Sequence, residues 1–127
     1  MHQDTRKYTV DTRTKIIGAE RAAELAQAGA QVVSGYFDPL VASLAEQLIA
    51  QKRPGYPLLV LIRSSPNPIL PARARAELVA ALEVVDFVCD TDIGVEPDVR
   101  LDEEHERRLQ ELITHVHARQ NAPPRNK

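Results

Sequence analysis

Residues 31–62, QVVSGYFDPLVASLAEQLIAQKRPGYPLLVLI, decide the fold. They open on QVVSGYF, a short β-branched run bounded by glycine and proline, which reads as a strand. Pro39 suits a first helical turn, and Leu40, Leu44 and Leu48 with Val41, Ala45 and Ile49 then recur at helical spacing to about Gln51. After a turn at RPGYP, the run LLVLI at 58–62 is apolar throughout, as in a strand covered on both faces. Strand, helix and strand in this order predict a parallel pair joined by a right-handed crossover.

The same alternation extends outward. Ile16 to Ala28 is rich in alanine, glutamate and leucine and ends at Gly29, which predicts a helix with a glycine stop. A loop, RSSPNP, follows the second strand, and PARARAELVAAL at 71–82 predicts a second crossover helix. VVDFVCD at 84–90 is the third strand, TDIGVEPDV a loop, and Leu101 to Ala118 a last helix with Leu101, Leu109, Leu112, Ile113 and Val116 on one side. The expectation is an α/β, Rossmann-like parallel sheet of about three strands with crossover helices. Residues 1–14 form an N-terminal arm, with KYTV at 7–10 as either an edge strand or a solvated segment. Residues 15–119 form the domain, and 120–127, polar and proline-bearing, a disordered tail.

The 127 residues suit one domain. A net charge of -2 with no basic stripe argues against nucleic acid, since neutralising phosphates needs a local excess of cations. No run resembles a signal peptide or a membrane span, so the expected location is the cytoplasm, with no membrane partner. The single cysteine, Cys89, has no disulfide partner and sits in an apolar run as a small buried hydrophobe.

In open parallel sheets ligands bind beyond the carboxyl ends of the strands, where VVSGYFDPL places its turn. Gly35 would let a phosphate approach the backbone, and the amides of the next helix point partial positive charge at it. Equally, Gly35 can simply make the turn and Asp38 cap a helix starting at Pro39.

GYFDPL at 35–40 resembles the opening of the G-x-F-D-x-x-H-x-G-H signature of the cytidylyltransferase-like nucleotidyltransferases, such as glycerol-3-phosphate cytidylyltransferase and the adenylyltransferase domain of bifunctional heptose synthase. KIIGAERAAELAQAGAQVV before it and RAELVAALEVVDFV after it are similar to the flanking family segments in the same order, covering residues 15 to about 90. The resemblance implies a truncated nucleotidyltransferase fold of the HUP type. It makes Gly35, Tyr36, Phe37 and Asp38 candidate contacts for a nucleotide or sugar phosphate, and Arg63 and Ser64, which follow the second strand and would face the same crevice, and Arg75, at the start of the next helix, join them by position.

The signature then fails. The two family histidines fall on Val41 and Leu44, and the motif glycine on Ser43. In the family those imidazoles steady charge on the departing pyrophosphate, and one such donor is worth about 2.7–4 kcal/mol. Valine and leucine cannot do this. The phosphate-gripping serine and threonine segment is absent, and a family arginine is Glu83 here. The expectation is a degenerate domain without catalytic residues, cofactor or metal, acting as a binding or interaction module. The alternatives are a nucleotidyltransferase using other residues, with Arg63, Arg73 or Arg75 in the charged role, or a nucleotide or phosphosugar sensor. A first strand lacking its usual neighbours would be covered by KYTV, a second copy or another protein, which predicts a homo-oligomer or protein partner at that edge.

Other chemistry is weakly signalled. Ser64, Ser65 and Asn67 either hold an anion or end the second strand. Arg73 and Arg75 begin a helix, facing an anion or solvent. DEEHERR at 102–108 suits a helix start with Glu103 and Glu104 pairing Arg107 and Arg108, while His115 and His117 are two apart and cannot share a metal on one helix face. Ser34 and Ser43 have no histidine placed to activate them.

Overall fold

The computed structural model describes residues 11–101 and Thr114. In chain order the elements are a 3-10 helix (Thr12–Lys15), α1 (Ala19–Gln27), β1 (Gln31–Gly35), α2 (Ala42–Gln51), β2 (Leu58–Ile62), α3 (Ala72–Ala80), β3 (Phe87–Cys89) and β4 (Val99–Arg100). The strands form one parallel sheet in the order β3-β2-β1-β4. This is a Rossmann-like α/β fold.

Alternation along the buried strands sets the layers. Every residue of β1 and β2 is buried, and successive side chains point to opposite faces. Val33, Leu58, Val60 and Ile62 therefore enter one core, closed by Leu44 and Leu48 of α2 and Ala76, Val79 and Ala80 of α3. Val32, Leu59 and Leu61 enter the other, covered by Ala22, Leu25 and Ala26 of α1. Gly29, at φ +102, ends α1: the Ala30 N–H donates to Leu25 O and the Gly29 N–H to Ala26 O, a left-handed cap that a side chain would strain.

The sheet has four strands where about three were expected, because Val99 and Arg100, at the end of the expected TDIGVEPDV loop, pair with Val33 and Ser34. Asp98 extends that pairing. Its N–H donates to Val32 O at 2.7 Å, and its carboxylate accepts from the Val32 N–H at 2.8 Å. β1 is thus interior, and the argument for a partner at its free edge loses its premise. KYTV lies outside the described residues.

Three boundaries also move. Ile16 and Ile17 are not helical: Ile16 bridges Val88 and the Ile17 N–H donates to Val88 O, tying the chain to β3 before α1 starts. Pro39 does not open α2. It follows a cis Asp38–Pro39 bond in a turn, and α2 begins at Ala42. β3 is shortened because Val84 sits in the turn after α3, although Asp86 N–H still donates to Leu58 O. Leu101 and Thr114 are helical, and the rest of the expected last helix lies outside the described residues.

Candidate functional site

The turn after β1 and the loop after β2 meet at the carboxyl ends of the strands, where a parallel sheet offers a ligand site. The Arg63 N–H donates to Gly35 O at 2.8 Å, so the two loops leave the sheet together. Phe37 then takes a left-handed backbone, φ 49, and turns its ring back over Gly35. A Cβ on Gly35 would lie 2.6 Å from two ring carbons. The ring is 2% exposed and part of the core. The close approach that a glycine permits is therefore used by Phe37, in the space expected for a phosphate. A left-handed bulky residue costs about 1–2 kcal/mol, which burial of the ring, worth about 1.5–3 kcal/mol, offsets.

Asp38 does not cap α2, whose N-cap is Val41 with no side-chain hydrogen bond. Its carboxylate instead accepts the N–H groups of Ile69 at 2.7 Å and Leu70 at 2.8 Å, across the crevice. Arg75 works from the other side. It lies on the buried face of α3 with Ala76, Val79 and Ala80 and is only 3% exposed. Its guanidinium donates from Nε to Leu70 O at 3.1 Å and from Nη1 to both Tyr36 O and Arg63 O at 2.9 Å. No described carboxylate forms an ion pair with it. Among the described residues carbonyl dipoles compensate this buried charge, and in doing so they fasten both loops to α3.

The structure thus brings Gly35, Tyr36, Asp38, Arg63 and Arg75 together, but largely through their backbones and through bonds between the loops. Ser64 is exposed on the second loop. Arg73 turns outward and pairs loosely with Glu77 at 3.9 Å. Of the positions matching the family histidines, Val41 is 45% exposed, whereas Leu44 is 6% exposed and packs in the core. Cys89 is buried, its thiol 3.3 Å from Thr91 Oγ1. Among the described residues no cluster of metal-ligating side chains occurs, and no helix is long and apolar enough to cross a membrane. DEEHERR, His115 and His117 lie outside them.

Sequence reasoning missed the anchoring role of Arg75 and the exposure of Ile69. Periodicity carries the first signal, since Arg75 and Val79 are four residues apart on one helix face. Nothing local carries the second, because Ile69 is held by Asp38 from a distant turn. In comparison with known proteins, no family model matches the chain and no curated protein matches it.

Proposed function

We propose that this chain is a binding and interaction module on a degenerate cytidylyltransferase-like scaffold, without nucleotidyl transfer. The observation that carries the reading is the engagement of Asp38 and Arg75. Two of the three charged groups proposed for a nucleotide here, Asp38 and Arg75, hold the loop 63–71 instead, one gripping its N–H groups and the other its carbonyls. Leu44 in the core supports the same reading, since no side chain there reaches a phosphate in the crevice.

The held loop presents Ile69, 74% exposed, beside Pro66, Asn67 and Pro68, which are also exposed. A large apolar side chain on a fixed backbone loses little entropy on docking, which favours a protein partner with an apolar pocket. Incubation with CTP or ATP and a polyol or sugar phosphate is expected to release no pyrophosphate above background, and calorimetry with either triphosphate no heat. Turnover at an ordinary enzymatic rate would revive the enzyme reading, and nucleotide binding without turnover the sensor. Ile69→Asp is expected to abolish protein association, whether with a second copy in sedimentation or with another protein in affinity capture, while leaving the melting temperature unchanged.

A further inference from the structure

A cavity separate from the Gly35–Asp38 turn opens where β2 and β3 end. It holds about 240 Å3 between Leu61, Ile62 and Arg63 on one side and the segment containing Asp92, Ile93 and Val95 on the other. At ~30 Å3 per water this is room for roughly eight water-sized groups. Pockets for drug-sized ligands begin near ~300 Å3, so this one is sized for a small metabolite.

The chemistry of the lining is specific. The Arg63 backbone is fixed at both ends, its N–H on Gly35 O and its carbonyl on Arg75 Nη1. Its half-buried guanidinium forms no hydrogen bond or ion pair among the described residues, and neither does the Asp92 carboxylate. A cation and an anion therefore line one cavity without pairing with each other. A phosphate or a simple carboxylate drawn to Arg63 would meet repulsion from Asp92, and an amine drawn to Asp92 would meet Arg63. A zwitterion satisfies both, with its carboxylate in the guanidinium fork and its ammonium on the aspartate. Ile93 and Val95, which pack on the core around Leu61, add an apolar part to the lining beside Asp92.

We propose that this pocket binds a free α-amino acid with a branched apolar side chain, of leucine size. The carboxylate lies on Arg63, the ammonium on Asp92 and the side chain against Ile93 and Val95. The assignment goes beyond the interaction reading above and is independent of it, since it uses neither Ile69 nor the loss of nucleotidyl transfer.

Calorimetry on the full chain tests it with L-leucine, isocaproate, which lacks the ammonium, and isoamylamine, which lacks the carboxylate. Leucine is expected to bind, and each analogue to bind about tenfold or more weakly, because each lost charged hydrogen bond is worth about 1.5–3 kcal/mol. Arg63→Gln is expected to weaken leucine and isocaproate but not isoamylamine, and Asp92→Asn to weaken leucine and isoamylamine but not isocaproate. The absence of heat with leucine on folded wild-type protein would overturn the proposal. So would inorganic phosphate binding in its place, or leucine binding that neither analogue nor substitution alters. None of these results touches the pyrophosphate assay.

Discussion

At the carboxyl ends of β1 and β2, Arg75 is 3% exposed and bonds only to carbonyls among the described residues, whereas at the amino ends Lys52 and Asp86 are 33% and 39% exposed and bond to each other at 2.6 Å. Both arrangements fasten loops to the sheet. Lys52 also donates to Tyr56 O, and Asp86 accepts the Leu58 N–H, closing the turn before β2. The amino-end pair is screened by water, so its net worth is small. The carboxyl-end cation is itself buried, and its removal leaves three partly buried carbonyls without their donor. A charged group therefore matters here through what it would leave unsatisfied, more than through its own attraction.

The largest test of this contrast is Arg75→Met, which keeps much of the stem and removes every donor. Three carbonyls lose their partner, and at about 1–3 kcal/mol for each buried unsatisfied group the loss of stability is expected to be at least ~3 kcal/mol, read as a lower urea midpoint. A loss below 1 kcal/mol would mean that water replaces the guanidinium and that the two ends are alike.

Gly35→Ala comes next. The new methyl collides with the Phe37 ring, and relief requires the ring to leave its buried seat, at a cost of about 1–3 kcal/mol. Thermal unfolding together with Phe37→Ala in a double-mutant cycle measures it: the Gly35→Ala cost should largely vanish when the ring is absent.

Smallest is Asp86→Asn, expected to cost about 1 kcal/mol, since the pair is partly exposed and the amide oxygen still serves Leu58. Burial alone would raise the Asp86 pKa, but the Lys52 ammonium, the Leu58 N–H and the charge of Lys15 outweigh it and hold the carboxyl below its ordinary value. A carboxyl with a lowered folded pKa binds fewer protons folded than unfolded. Its contribution is complete above the unfolded pKa, about 3.9, and disappears as pH falls from there through the folded value. Stability of the wild type and of Asp86→Asn should therefore converge in that acid range and diverge above it.

The layers of this molecule were legible because burial repeats locally. LLVLI became β2 with the bounds read from its composition, and the apolar rows on α2 mark the face that closes the core. Strand β4 was not legible, because its two residues carry no period and its pairing is completed by a side chain, Asp98, standing in for backbone. The bonds within the candidate site were illegible for a similar reason. Asp38 looks like a cap beside a proline, but its partners are 31 and 32 residues away, brought close only when two crossovers end side by side. Arg75, read as solvated or ligand-facing, lies inward on three carbonyls from two loops. Sequence periodicity reports which face is inward, not which distant oxygen waits there.

The unequal surroundings of Val41 and Leu44 bear on any attempt to build a transferase site on this chain. Val41→His would place an imidazole where water can reach it, whereas Leu44→His would sink one among Val33, Phe37 and Leu48, with its protonation suppressed and its packing spoiled. An imidazole at position 44 could reach the crevice only if the start of α2 rotated outward, so packing as well as residue identity would have to change.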